Sequence, residues 1–181
     1  MTTEYLLDQE VERVLGLLMP SNALACQVSL HTGLRINDVL SLKREQLKPR
    51  FWVTEGKTGK RKLVGLPEDL RNELYLNWKK QGGGEWLFPG RDPRKHHTRQ
   101  AVWKDVKRAA DAYRLNQNVA PHSFRKVYAV DLMEQYGDIE KVRRALNHES
   151  EAVTMIYAMA AERLRSKRLR KAYRVRKRKV G

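Results

Sequence analysis

The residues whose types best suit a reaction lie around Tyr157, which follows His148 by nine positions in the segment LNHESEAVTMIY. A phenol is a poor nucleophile until one group helps its proton to leave and cations hold the group that it attacks. The chain supplies a histidine and cationic side chains upstream, namely Arg35, Lys57, His122 and Arg125. Taken alone, Tyr157 fits an ordinary amphipathic helix, so the hypothesis of a nucleophilic tyrosine depends on the whole set.

The charge of the chain indicates the kind of partner. Its 181 residues include 37 Lys and Arg against 21 Asp and Glu, a formal net charge of +16. This excess predicts binding to a polyanion, most often nucleic acid, because each neutralised phosphate releases counterions. Solubility or an anionic membrane surface are the alternative interpretations. Aromatic residues make up only 8%, which favours contact with duplex backbone over a platform that stacks single-stranded bases.

Length and composition also limit the class of protein. The length fits one domain with a hydrophobic core and at most a short appendage. The chain has no apolar run long enough to span a bilayer and no visible signal peptide, so we expect a cytoplasmic protein without a membrane partner. Its single cysteine, Cys26, excludes an internal disulfide and a cysteine-based zinc cluster. The adjacent His96 and His97 lack further ligands at suitable spacing, so we predict no metal site.

Hydrophobic periodicity predicts a mainly helical chain. Four polar residues are expected to cap helices: Asp8, Asn37, Thr98 and Asp138. The predicted helices cover residues 9–18, 22–31, 38–42, 67–80, the segment from the Thr98 cap to about residue 113, and 139–146. Residues 120–126 are expected to lead into a further helix that ends near residues 136–137. Gly33 is suited to the left-handed end of the second helix. Arg35 therefore lies in a turn between two helices, with Asp38 within reach to orient its guanidinium.

A small antiparallel sheet interrupts the helices. Residues 51–55 and 60–66 alternate as strands do, and residues 56–59 join them as a hairpin with Lys57 at its tip. Residues 86–88 are predicted to form another short, buried strand. The expected fold class is therefore mainly α with a small antiparallel β-sheet (α+β). A lysine at a hairpin tip is usually only solvated, and Lys57 matters if the tip can reach a site beneath it.

Basic side chains near these elements are candidate contacts to the DNA backbone. They lie on the second strand, on one side of the helix over residues 98–113, and beside Arg125. The candidates are Lys60, Arg61 and Lys62 on the strand, Lys104 and Arg108 on the helix, and Lys126.

Read together, short motifs in this order resemble those of the tyrosine recombinases, the family of phage and transposon integrases. The motifs are TGLR at Arg35 with Asp38, EGKTG at Lys57, HSFR from His122 to Arg125, LNH at His148, and Tyr157. The likeness covers residues 5–160. Asn147 stands where the family more often has glycine, a mild departure because Asn also tolerates left-handed backbone.

The resemblance implies the tyrosine recombinase catalytic-domain fold over residues 1–160. A basic C-terminal helix or tail is expected over residues 161–181, and the N-terminal core-binding domain that family members usually carry is expected to be absent. The implied activity is that of a DNA strand transferase, a site-specific recombinase or integrase encoded by bacteria or phage and acting on mobile-element DNA without metal or cofactor. The implied partners are double-stranded DNA and further copies of the chain, as a homotetramer assembled on DNA.

The resemblance also implies a role for each residue of the set. Tyr157 would attack a scissile phosphodiester, form a 3′-phosphotyrosyl bond and release a 5′-hydroxyl. Arg35 and Arg125 would bind the two non-bridging oxygens, and His148 would donate a further hydrogen bond to the phosphate. His122 would act as the base for the tyrosine, and Lys57 as the general acid.

Two other classes of function remain as alternatives. A type IB topoisomerase would relax supercoils as a monomer, whereas a recombinase would need paired sites and a tetramer. A non-catalytic DNA-binding regulator would keep the fold but lose at least one catalytic residue, and none is lost from the motifs above.

Overall fold

The computed structural model of the chain describes residues 5–115 and 117–147. Helices dominate these residues, and one two-stranded antiparallel sheet interrupts them, which confirms the predicted fold class. The elements are α1 (Asp8–Leu17), α2 (Pro20–Thr32), α3 (Ile36–Leu40), a 3-10 helix (Arg44–Gln46), β1 (Arg50–Thr54), β2 (Arg61–Gly65), α4 (Glu68–Lys80), α5 (Arg99–Ala112), α6 (Pro121–Tyr136) and α7 (Ile139–Ala145). None of these helices is long and apolar enough to cross a membrane.

The described residues divide after Tyr128 into two compact units. In the first unit, apolar side chains from the helices and the sheet form one hydrophobic core, which includes Val14, Val28, Val106 and Phe124. The described part of the second unit ends at Asn147, and its buried apolar residues include Val130, Val142 and Leu146. Most of the candidate residues belong to the first unit.

Two of the four predicted caps are confirmed and two are wrong. Thr98 Oγ1 accepts a hydrogen bond from Ala101 N at 3.3 Å, and Asp138 Oδ1 accepts one from Glu140 N at 2.9 Å. Asp8 instead lies inside the first turn of α1, where its charge favours the helix N-terminus. The start of α1 is capped by the Glu10 carboxylate, which reaches back to Leu7 N at 2.7 Å.

The correction at Asn37 follows from how α2 ends. Gly33 adopts the predicted left-handed conformation, with φ of 65°, and its N–H closes the helix on Ser29 O. Helix α3 then begins at Ile36, so Arg35 is the residue that precedes the helix and Asn37 lies within its first turn. The turn between α2 and α3 is shorter than the sequence suggested, and Arg35 lies in it as predicted.

Strands β1 and β2 pair with Trp52 opposite Leu63, and their alternating side chains point to the core or to solvent. The further strand predicted over residues 86–88 is not formed, although Leu87 and Phe88 are buried. Trp86 makes only an isolated bridge to Lys43. The ladder cannot extend because the partner segment enters the 3-10 helix directly after Lys43.

Helix α5 is joined to the α1–α2 junction by a buried carboxylate. Asp105 Oδ2 accepts hydrogen bonds from Met19 N and from Asn22 Nδ2, both at 2.8 Å. Because a buried carboxylate is costly unless it is hydrogen-bonded, this arrangement favours one position of α5 against the first helices.

Candidate functional site

Arg35 and Arg125 come together at the end of α2, although they belong to different elements. Arg35 precedes α3, and its side chain is 22% exposed. Arg125 lies in the first half of α6, is 1% exposed, and donates from Nη1 to Gly33 O at 2.6 Å. A guanidinium buried to this extent requires a counter-charge.

The counter-charge is Glu55, which follows β1 and is fully buried. Its Oε2 lies 3.0 Å from Arg35 Nη1, and its Oε1 lies 3.5 Å from Arg125 Nη1. Burial alone would raise the pKa of this carboxyl, but Arg35 and Arg125, helped by a hydrogen bond from Thr58, hold the pKa below its usual value. Glu55 is therefore ionised at neutral pH.

Sequence reasoning did not include Glu55 among the site residues. A signal was available in the alternation of β1, where Phe51 and Val53 point inward. Position 55 continues that inward series, and a carboxylate at an inward position needs a cationic partner. The partner itself could not be read from the strand.

Asp38 is hydrogen-bonded to the hairpin, and it interacts with Arg35 only through charge. Its Oδ1 accepts a hydrogen bond from Gly56 N at 2.9 Å, and the predicted pair with Arg35 is replaced by the pair between Arg35 and Glu55. The reason is that Arg35 is extended and precedes α3, so its side chain does not share a helix face with Asp38. Burial raises the pKa of Asp38, with a further contribution from Glu55, while the Gly56 hydrogen bond opposes the rise.

Lys57 lies on the exposed loop between β1 and β2, as predicted. The loop is closed by hydrogen bonds from Gly59 N to Glu55 O at 2.8 Å and from Thr58 Oγ1 to Glu55 Oε2 at 3.0 Å. The loop that carries Lys57 is therefore built on the same residue that pairs with the two arginines.

His122 lies one residue after the start of α6 and retains an exposed surface. Loss of hydration lowers the pKa of its ring to about 4, together with the positive charges of Arg125, Lys126, Arg35 and Lys57. The surrounding cations lower the pKa of the ring in the same direction as the loss of hydration. His122 is consequently neutral at pH 7 and able to accept a proton.

The described structure thus brings together four of the residues proposed for catalysis, namely Arg35, Lys57, His122 and Arg125. The other two, His148 and Tyr157, lie outside the described residues. Asn147, the neighbour of His148, has a positive φ of 53°, a backbone conformation that asparagine tolerates.

Lys62 points inward, unlike its neighbours on β2. Its Nζ donates to Thr32 O at 2.5 Å and lies 5.4 Å from the centre of the Tyr128 ring. Burial lowers the pKa of Lys62 to about 8, and repulsion by Arg125 contributes. Its position favours a role in holding the end of α2 over the predicted contact with DNA backbone.

The other predicted contacts on β2 and the loop face solvent. Lys60 is exposed in the loop directly before β2. Arg61 is also exposed, and its guanidinium lies 4.7 Å from the centre of the Trp52 ring on β1. Both cations are accessible to a polyanion on the outer side of the hairpin.

The helical candidates differ from one another. Lys104 is exposed on α5, and Lys126 is half-buried on α6 beside Arg125. Arg108 is exposed but engaged internally, because its Nη2 lies 2.7 Å from Asp105 Oδ1 and also donates to Leu17 O. Arg108 therefore contributes to the junction of α1, α2 and α5.

Among the described residues, no group of three or more His, Cys, Asp or Glu is arranged to hold a metal ion. The adjacent histidines have structural partners: His97 Nε2 is 3.1 Å from Asn22 Oδ1, and His96 Nδ1 is 2.8 Å from His97 O. Cys26 is fully buried, and burial raises the pKa of its thiol.

This arrangement suits the recognition of an oxyanion with two equivalent oxygens. Guanidinium groups offer a planar fork that matches phosphate oxygens and remains protonated. Two such groups are held by a shared carboxylate, with an exposed lysine and a neutral histidine nearby. The chemistry that these groups can support is phosphoryl transfer.

Comparison with known proteins gives consistent results. The sequence model of the Phage integrase family matches residues 4–163. The probable integrase/recombinase YoeC of Bacillus subtilis is 33% identical over 130 residues, which is 71% of each chain. Tyrosine recombinase XerD of Bradyrhizobium diazoefficiens is 34% identical over 155 residues, covering 77% of this chain and 49% of XerD.

The fold has counterparts among solved structures. The crystal structure of the XerH site-specific recombinase bound to palindromic difH substrate superimposes with a TM-score of 0.72 and 23% identity, covering 84% of this chain and 48% of XerH. The likeness shows a shared fold. The chain spans about half the length of XerD and XerH.

Proposed function

This chain belongs to the phage integrase family and has the tyrosine recombinase catalytic-domain fold, and on that premise we propose that it cleaves and rejoins DNA strands. The reaction would proceed through a covalent 3′-phosphotyrosyl intermediate and serve site-specific recombination. The proposal extends to partners and location as well. It includes duplex DNA of a phage or mobile element, a homotetramer assembled on that DNA, and action in the cytoplasm of a bacterium.

The observation that carries this proposal is the pair of arginines at one carboxylate. Arg35 and Arg125 are far apart in sequence, yet both lie within 3.5 Å of Glu55. Thr58, in the loop that carries Lys57, donates a hydrogen bond to the same carboxylate. The positive charges of Arg35, Arg125 and Lys57 all lower the pKa of His122. Such a convergence supports a common task on one anionic group rather than separate surface pairs.

The proposed chemistry uses these groups in defined roles. The Tyr157 hydroxyl attacks phosphorus, the bond from phosphorus to the 5′-oxygen breaks, and that oxygen leaves with the electron pair. Lys57 protonates the leaving oxygen, and His122, neutral at pH 7, accepts the tyrosine proton. Because the phosphotyrosyl bond conserves the energy of the phosphodiester, a 5′-hydroxyl of another strand can reverse the attack.

The transition state carries extra negative charge on the non-bridging oxygens. Arg35 and Arg125 are proposed to bind those oxygens, and His148 to donate a further hydrogen bond. Fixed donors of this kind typically contribute about 10²–10³ in rate each, since they need no reorganisation during the reaction.

The test uses a pool of end-labelled duplexes with a 5′-bridging phosphorothiolate at one position and randomised flanks. The sulfur leaving group cannot rejoin efficiently, so a covalent protein–DNA adduct that resists SDS accumulates. We expect an adduct from the wild type and none from Tyr157→Phe, with duplex affinity unchanged. Tyr173→Phe is the matched control and should form the adduct normally.

Other outcomes point to other functions. An adduct that persists in Tyr157→Phe would exclude this residue as the nucleophile. Salt-sensitive duplex binding without any adduct would favour a DNA-binding regulator. Supercoil relaxation by a monomer would favour a topoisomerase.

A further inference from the structure

Glu55 is a fully buried carboxylate in the middle of the candidate site, and no established role explains it. Each of its two oxygens faces a different arginine: Oε2 is 3.0 Å from Arg35 Nη1, and Oε1 is 3.5 Å from Arg125 Nη1. Oε2 also accepts a hydrogen bond from Thr58 Oγ1 at 3.0 Å. Both carboxylate oxygens of Glu55 therefore have cationic partners.

An anion between the two guanidinium groups lowers the cost of placing both of them near one point. Like charges repel strongly where water is excluded, and a buried cation without a counter-ion is destabilised. Arg125 is 1% exposed, so solvent does not screen it. Glu55 is thus a buried counter-ion that the two arginines share.

Glu55 is itself fixed by the hairpin. Its N–H donates to Lys60 O at 3.0 Å, and its carbonyl accepts from Gly59 N at 2.8 Å. The next residue, Gly56, is held by Asp38. The position of the carboxylate is therefore determined by the same backbone that carries Lys57.

We propose that Glu55 is a positioning residue for strand cleavage, which sets the spacing of Arg35 and Arg125 and couples that pair to the Lys57 loop. A carboxylate and a phosphodiester each present two equivalent oxygens, so a pair matched to the first is close to the geometry required by the second. A guanidinium carries five N–H donors and can serve Glu55 and a phosphate together. The inference rests on the proposed function, and Glu55 is not assigned a contact with DNA.

The test compares Glu55→Gln, which removes the charge but keeps the shape, with Glu55→Asp, which keeps the charge but shortens the reach. Glu85→Gln is the matched control. Glu85 forms a surface pair with Lys43 at 2.7 Å and is 54% exposed, so its substitution makes the same change in net charge away from the arginines.

The first readout needs no DNA. Guanidinium N–H signals of Arg35 and Arg125, assigned by NMR through Arg→Lys variants, should exchange slowly with water in the wild type and in Glu85→Gln. We expect fast exchange for Arg35 in Glu55→Gln, while the backbone amide spectrum remains that of a folded protein. Slow exchange of both arginines in Glu55→Gln would overturn the proposal, whether or not the chain cuts DNA.

The second readout is the single-turnover rate of adduct formation at saturating duplex. Glu55→Gln should lose about 100-fold in rate, the order expected from a small misplacement of catalytic groups. Its duplex affinity should stay within about threefold of that of Glu85→Gln, which has the same net charge. A merely destabilising substitution would lower the melting temperature without this separation of rate from affinity.

The remaining outcomes of the two measurements also test the positioning role of Glu55. Faster cleavage by Glu55→Gln would mean that the carboxylate blocks the arginines, which contradicts a positioning role. If Glu55→Gln does not fold, Glu55→Asp replaces it, and wild-type rate together with wild-type N–H exchange in that variant would refute the proposal. Absence of cleavage by the wild type would remove the proposed function and leave the exchange result to judge Glu55.

Discussion

The carboxylate of Asp38 accepts a hydrogen bond from the backbone N–H of Gly56 at 2.9 Å, across eighteen positions of the sequence. The bond joins the helix that follows Arg35 to the loop that carries Lys57. The contact is close, because a Cβ at Gly56 would lie 3.4 Å from Asp38 Oδ1. Two parts of the candidate site are thus held together by one side chain.

Asp38→Ala should impair cleavage by releasing this loop. We expect a loss of roughly 100-fold in the single-turnover rate, because a small displacement of a catalytic group is costly. Asp38→Asn should retain most of the rate, since its amide oxygen can still accept from Gly56 N. Hydrogen exchange of the Gly56 amide should rise in the alanine variant only.

The exposed neighbour provides the control, and Asn37→Ala should leave both rate and exchange unchanged. Equal damage in Asp38→Asn and Asp38→Ala would show that the charge of Asp38, rather than its hydrogen bond, is what matters.

His122 should make stability depend on pH. The pKa of its ring is lowered from 6.5 to about 4 in the folded chain, so between these values the unfolded chain binds a proton here and the folded chain does not. The contribution of His122 to the free energy of unfolding should therefore be complete above pH 6.5 and decrease as the pH is lowered toward 4.

Urea unfolding at pH 7 and pH 4.5 measures this effect. The wild type should lose more stability over that interval than His122→Gln, in which the titrating ring is absent and the other groups are the same. Equal losses, or a ring that titrates near 6.5 by NMR, would contradict the prediction.

Lys60 and Lys62 carry the same charge but should differ in DNA binding. Lys60 is exposed, whereas Lys62 is buried against Thr32 and Tyr128. Lys60→Met should reduce the slope of log affinity against log salt by about 0.9, the value for one phosphate contact. Lys62→Met should leave this slope unchanged. A reduction of the slope as large as that of Lys60→Met would show that Lys62 does contact a phosphate.

Lys62 should instead change how the free energy of unfolding depends on pH in the alkaline range. Its pKa is lowered to about 8 in the folded chain from 10.5. Between these values the unfolded chain binds more protons, so the stability of the wild type relative to Lys62→Met should rise from pH 8 to pH 10. Urea unfolding at the two pH values checks the sign.

Features that depend on neighbouring residues were predictable. The helices follow from hydrophobic periodicity, and Thr98, Gly33 and Asn147 have the local conformations that their chemistry favours. The caps at Asp8 and Asn37 were wrong because α1 and α3 begin earlier than expected, at Asp8 and Ile36, which places both residues inside the first turn. Residues 86–88 do not pair as a strand because their partner segment turns away after Lys43.

The sequence by itself determined the helical and hairpin elements, the order of the motifs and the family, since each depends on short-range geometry or on residue identity. Only the tertiary structure decided that Glu55 is the counter-ion of Arg35 and Arg125, that Asp38 holds the hairpin, and that Lys62 points inward. Glu55 and Arg125 are 70 positions apart. Periodicity shows that a charge lies on an inward face, but the partner that neutralises it depends on which elements pack against that face, here the end of α2 and the first half of α6.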